Sequence, residues 1–90
     1  MPVKSQTELV QFYADWCGPC QAMKPIVAEL EKELGDKIKV TRVNIDEDPG
    51  EAQKYNVMSI PTFLIKKEGG VKAQLMGMQT KNALKKKLVG

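Results

Sequence analysis

The two cysteines of this 90-residue chain, Cys17 and Cys20, are the residues best suited to chemistry. Only Gly18 and Pro19 separate them, between an apolar run and an amphipathic one. A strand-to-helix junction of this kind would put Cys17 at a helix N-terminus, where free N–H groups and the helix dipole stabilise a thiolate. We therefore expect Cys17 to be exposed and to attack disulfides, with Cys20 one turn further in as the shielded resolving thiol.

Other kinds of site fit the composition less well. The sequence has no histidine, which excludes imidazole-based catalysis and every metal site that needs a histidine ligand. One cysteine pair is half of a structural zinc site, so a metal would have to be shared between two chains. The remaining alternatives are a purely structural disulfide, which would close too small a loop to stabilise much, and a pair of inert buried thiols.

The elements that must position the cysteines follow from apolar periodicity. A stripe at Met23, Ile26, Val27, Leu30 and Leu34 predicts a helix over 18–34 that stops at a glycine. The other predicted elements are strands at 8–14, 38–45, 62–66 and 71–76, a short helix from Asp48-Pro49 to about 55–56, and a last helix capped by Thr80. The order β-α-β-α-β-β-α predicts an α/β fold with a mixed four-stranded sheet and three flanking helices, in a single domain over 1–90.

Charge is unevenly distributed along the chain. Residues 1–51 carry a net charge of −4 and residues 52–90 a net charge of +7. Four lysines of the last helix account for much of the basic half, and we expect them on a solvated face, with no nucleic-acid partner. No apolar run is long enough for a membrane span or a signal peptide, so we expect no membrane association and a cytoplasmic location.

The run Trp16-Cys17-Gly18-Pro19-Cys20 resembles the active-site motif of the thioredoxin family. The resemblance continues from Leu9 to the C-terminus and includes Pro25, Asn44-Ile45-Asp46 and Ile60-Pro61-Thr62. It implies a thioredoxin-like fold that lacks the family's usual first strand and helix. It also implies protein-disulfide reductase activity, with no bound cofactor and with an external reductant such as thioredoxin reductase.

The resemblance further implies which residues surround the cysteines. Pro61 would follow a cis peptide bond, and the indole of Trp16 would meet the carboxylate of Asp46. The implied substrate-contact surface consists of Trp16, Gly18, Pro19, Met58, Ser59, Ile60, Pro61, Gly77 and Met78. We expect Met58 and Met78 to be half-exposed and Met76 to lie in the core. Protein disulfides would be the substrates, and the chain would act as a monomer.

Two positions depart from the family pattern. Gln11 stands where the family has a buried aspartate that is thought to take the proton of the resolving cysteine. Because an amide does not titrate, we hypothesise that the resolving step or its pH dependence is altered. Arg42 stands where the family commonly has a lysine, and with Gln11 neutral it should reach solvent or another carboxylate.

Two other functions stay open at the level of sequence. The short frame is also compatible with a glutathione-coupled, glutaredoxin-like reductase, although the Gly-Pro pair between the cysteines favours the thioredoxin type. The fold could instead serve as a docking subunit whose thiols are idle.

Overall fold

The computed structural model describes residues 7–89 of the chain. The elements in this part are β1 (Thr7–Tyr13), α1 (Gly18–Leu34), β2 (Ile38–Asn44), α2 (Pro49–Lys54), β3 (Thr62–Lys67), β4 (Gly70–Met76) and α3 (Lys81–Val89), with a 3-10 turn at Gly35–Lys37. The predicted order of strands and helices is confirmed. The bounds differ by one or two residues, which is the usual uncertainty at the ends of elements.

The described strands form one mixed sheet in the order β2-β1-β3-β4. β1 is parallel to β2 and antiparallel to β3, and β3 forms an antiparallel hairpin with β4. Tyr13 is therefore opposite Asn44, and Thr62 lies between Phe12 and Met76. As a result, β1, β2 and β4 end, and β3 begins, at the same end of the sheet.

Apolar side chains cover both faces of this sheet. On one face, Leu9, Phe63 and Ile65 pack with the buried stripe of α1 and with Leu84 of α3. On the other face, a smaller cluster at 10, 12 and 64 packs with half-buried side chains from 43–60. Each strand contributes side chains to both faces because successive side chains of a strand point in opposite directions.

Local signals fix where the helices begin and end. Gly35 ends α1 at a φ of 56°, a backbone conformation that favours glycine, and its N–H donates to the carbonyl of Glu31. The side chain of Asp48 accepts the N–H of Glu51 at the start of α2, as the sequence predicts. Thr80 Oγ1 accepts the N–H of Ala83 over 3.0 Å and caps α3.

Ion pairs join the C-terminal half of α1 to α3. Lys81 Nζ lies 2.8 Å from Glu33 and 3.4 Å from Glu29, and Lys85 also pairs with Glu33. The lysine face is therefore partly exposed, and two of its members, Lys81 and Lys85, also pair with acidic side chains of the neighbouring helix. Hydrogen bonds from these two lysines lower the pKa of Glu33 from 4.5 to about 2.

We predict that replacing Glu33 by Gln lowers the melting temperature at neutral pH. The variant's melting temperature should also fall less than that of the wild type when the pH is lowered. The folded-state pKa is depressed, so the stabilisation is present above about pH 4.5 and is lost as the pH falls towards 2. Thermal unfolding across this range should show the melting temperatures of wild type and variant converging in acid. A constant difference at all pH values, or an equal effect of Glu47→Gln on the exposed loop after β2, would contradict this role for Glu33.

Candidate active site

Cys17 and Cys20 form a disulfide at the start of α1. Cys17 is the N-cap residue, and its Sγ accepts the backbone N–H of Cys20 over 3.2 Å. Cys17 is only 5% exposed and Cys20 only 1%, so the expectation of an exposed Cys17 is wrong for this oxidised form. The cause is close packing, since Tyr13, Ile45 and Ile60 contact the cluster that contains both cysteines.

A tight turn carries the chain from β1 into α1. The N–H of Cys17 donates to the carbonyl of Ala14, and the side-chain amide of Gln21 donates to the carbonyl of Asp15, each over 3.2 Å. Gly18 and Pro19 follow at the helix start and are exposed. The turn is thus held from within the helix, and the residues around the disulfide reach the surface.

Trp16 projects from this turn and is 70% exposed. Its indole N–H donates to Asp46 Oδ2 over 2.8 Å, the pairing that the resemblance implies. The N–H of Asp46 in turn donates to the side chain of Asn44 at the end of β2. The orientation of the indole is therefore set by the second strand of the sheet.

The segment before β3 lies beside the disulfide. The Ile60–Pro61 peptide bond is cis, and Ile60 packs against the cysteine cluster. Thr62 Oγ1 donates to the carbonyl of Ser59 over 2.6 Å, which closes the turn. A groove of about 290 Å³ runs between this segment and the turn after β1, and its lining residues are Trp16, Ile45, Val57, Met58, Ser59 and Ile60.

The segment after β4 is attached to Pro61. The N–H of Gly77 donates to the carbonyl of Pro61 over 2.7 Å, and Gly77 has a φ of 83°, which favours glycine. The side-chain amide of Gln79 donates to the carbonyls of Met76 and Gly77 over 3.1 and 3.4 Å. Sequence reasoning missed Gln79, because nothing in its sequence context distinguishes it from a loop glutamine.

Three methionines on these two segments are exposed. Met58 is 85% exposed, Met78 is 55% exposed and Met76 is 61% exposed. The expectation that Met76 lies in the core is wrong. β4 is an edge strand, and while Leu75 packs on the main core, Met76 points to the opposite side, where it stays open to solvent.

Gln11 is buried in the middle of β1 with an exposure of 1%. Within residues 7–89 its Oε1 has no hydrogen-bond partner, although an acceptor in the interior normally has one. Gln11 borders a cavity of about 280 Å³ together with Tyr13, Lys24 and Arg42. Arg42 pairs with Glu31 over 3.2 Å, which confirms the expectation that it finds another carboxylate.

Residues 7–89 contain no cluster of His, Cys, Asp or Glu side chains that could hold a metal ion. None of the helices described there is both long and apolar enough to cross a bilayer.

Comparisons with known proteins agree with this geometry. The family model named Thioredoxin matches residues 2–89. The chain is 47% identical over 76 residues to thioredoxin of Rickettsia prowazekii, covering 84% of this chain and 72% of the relative. The chain belongs to the thioredoxin family. Thioredoxins are thiol–disulfide oxidoreductases that need no bound cofactor, and their partners are protein substrates and a reductase.

Solved structures show the same fold. Oxidised mitochondrial thioredoxin 3 of Saccharomyces cerevisiae matches with a TM-score of 0.85 and 31% identity, over 92% of this chain and 76% of that chain. A structure concerning thiol resolution in yeast mitochondrial 1-Cys peroxiredoxin by the glutathione and thioredoxin systems matches with a TM-score of 0.86 and 29% identity, over 92% and 76%. The fold is thioredoxin-like, and, as predicted, the described sheet starts without the family's usual N-terminal part.

Gln11 separates this chain from the family pattern in a way that can be measured. We predict that Gln11→Asp adds a pH-dependent limb to the rate of disulfide reduction, because a carboxylate can accept the proton of Cys20 and an amide cannot. When the aspartate is ionised, the resolving step should accelerate by up to about 100-fold. Stopped-flow reduction of a protein disulfide across a range of pH measures the profile.

The matched control is Gln11→Asn, which has the size of aspartate but does not titrate. It should shift the absolute rate without adding the new limb. Superimposable pH profiles for the Asp and Asn variants would show that titration at this position does not affect the reaction.

Proposed function

We propose that Cys17 is the nucleophile that attacks protein disulfides and that Cys20 resolves the mixed disulfide. The observation that carries this assignment is the position of Cys17 Sγ, which caps α1 and accepts the N–H of Cys20. A thiolate there gains a hydrogen bond and the positive end of the helix dipole. Cys20 lies inside the first turn and is the more shielded of the two.

The proposed reaction balances through sulfur alone. The Cys17 thiolate attacks one sulfur of the substrate disulfide, the S–S bond breaks, and the other substrate sulfur leaves as a thiolate that takes up a proton. Cys20 then loses its proton and attacks Cys17, which releases the second substrate thiolate and forms the Cys17–Cys20 disulfide. The substrate gains two electrons and two protons, and the external reductase returns the same number to the protein.

The surface around the disulfide suits an extended protein segment. Neither backbone group of Ile60 has a hydrogen-bond partner within residues 7–89, so a substrate strand could pair with it as an added β-strand does. Exposed apolar groups flank this position. We assign to substrate contact the residues Trp16, Gly18, Pro19, Met58, Ser59, Ile60, Pro61, Gly77 and Met78, with Asp46 and Gln11 in supporting positions.

Three further properties concern the domain organisation, the oligomeric state and the location of the chain. We propose that residues 1–90 act as one domain, as a monomer, in the cytoplasm, where reductants keep thiols reduced. Light scattering of the purified chain and fractionation of cells would measure the last two properties directly.

An oxidised peroxiredoxin is a suitable test substrate, because one of the similar solved structures concerns thiol resolution in a peroxiredoxin.

We predict that Cys20→Ser traps a covalent mixed disulfide with a protein substrate, because the attack by Cys17 proceeds and the resolving step does not. The adduct should resist non-reducing electrophoresis, disappear with dithiothreitol, and give a mass equal to the two proteins joined through Cys17. Neither this variant nor Cys17→Ser should turn over.

Cys17→Ser is the matched control, and it should form no adduct under the same conditions. If Cys17→Ser traps substrate and Cys20→Ser does not, the roles are reversed. If neither variant traps substrate while the wild-type protein is active, the two-cysteine mechanism is wrong.

A further inference from the structure

Within residues 7–89, the methionines fall into two groups with opposite exposure. Met23 of α1 is fully buried, whereas Met58, Met76 and Met78 are 85, 61 and 55% exposed. Isolated exposed apolar residues are common on protein surfaces. Met58 lies on the segment before β3, and Met76 and Met78 lie at the end of β4 and just after it, and a hydrogen bond from Gly77 to Pro61 joins these two segments. We call the three residues the methionine rim.

The rim lies beside the disulfide. Met58 borders the groove that Trp16 also lines. Met76 is opposite Thr62, the residue that follows Pro61, and Gly77 between Met76 and Met78 is hydrogen-bonded to the Pro61 carbonyl. The rim therefore flanks the segment that packs on the cysteine pair.

Exposed thioethers are reactive towards two-electron oxidants. With hydrogen peroxide, the sulfur attacks one peroxide oxygen, the O–O bond breaks, and methionine sulfoxide and water form. The sulfur loses two electrons and the peroxide gains them. The product replaces a flexible apolar side chain by a polar one, which weakens apolar packing against a partner.

We propose that Met58, Met76 and Met78 are an oxidant-sensitive modification site that controls docking of protein substrates. The proposal rests on the proposed function, because it assumes that protein disulfides bind across the rim. Oxidation should raise KM for a protein disulfide by about tenfold, the effect of leaving a polar group poorly paired in an interface. It should leave reduction of a small disulfide unchanged, because such a substrate needs the cysteines and not the rim.

The experiment starts from the disulfide form, in which both cysteines are already protected. The protein is treated with increasing hydrogen peroxide, and peptide mass spectrometry assigns each sulfoxide. The expected order is the three rim methionines first, with Met23 unchanged while the fold is intact. After removal of peroxide and reduction with dithiothreitol, kcat and KM are measured with insulin and with a small aromatic disulfide.

Two matched variants isolate the rim. The triple variant Met58→Leu, Met76→Leu, Met78→Leu keeps apolar side chains of similar size that peroxide does not oxidise. Whatever its untreated KM for insulin, that KM should not change on treatment. Met23→Leu keeps the rim and should respond to peroxide as the wild-type protein does. Methionine sulfoxide reductases supplied with dithiothreitol should restore the original KM of the treated wild-type protein.

Several results would overturn the proposal. An unchanged KM for insulin when the three rim sulfoxides have formed would do so, as would an equal response of the triple variant or oxidation of Met23 as readily as the rim. Failure of the proposed function looks different, since untreated protein would then not reduce insulin at all and the docking role would fall with it.

Discussion

The active site depends on one constraint, which is that Cys17 must both end the turn after β1 and cap the first turn of α1. The hydrogen bond from the Cys20 N–H to Cys17 Sγ satisfies one of the helix's free donors with the sulfur that we propose as the nucleophile. Pro19 fits between the two cysteines because a helix start tolerates a residue without a backbone N–H. The same geometry brings the two sulfurs within bonding distance.

The sheet brings the rest of the site to this helix end. β1 is parallel to β2 and antiparallel to β3, and β3 is antiparallel to β4. The chain therefore leaves β1, β2 and β4 and enters β3 at the same end of the sheet. Asp46 orients Trp16 from the end of β2, and the hydrogen bond between Gly77 and Pro61 joins the segments beside β3 and β4. Short segments from three strands thus lie at the same end of the sheet as the disulfide.

Local sequence signals made the helices and strands predictable. The exposure of individual side chains was not predictable, because it depends on long-range packing. The stop at Gly35 and the cap at Asp48 depend on neighbours within one turn, so sequence patterns reveal them. The burial of Cys17 depends on side chains from β1 and from the segments after β2 and before β3, which no local pattern encodes. Met76 was misplaced because its exposure depends on β4 being an edge strand. Gln79 was missed because its partners are two backbone carbonyls that only the folded loop presents.

We expect the cysteine pair to be poised as a reductant of protein disulfides, even though Gln11 stands where the resemblance implies a buried aspartate. The equilibrium reduction potential of Cys17–Cys20, titrated against dithiothreitol and glutathione buffers, tests this most directly. We predict a value of about −270 mV, the known potential of thioredoxin. A value of about −200 to −230 mV, as in glutaredoxins, would favour a glutathione-coupled role instead. The absence of any reversible transition would show that the cysteine pair is not redox-active.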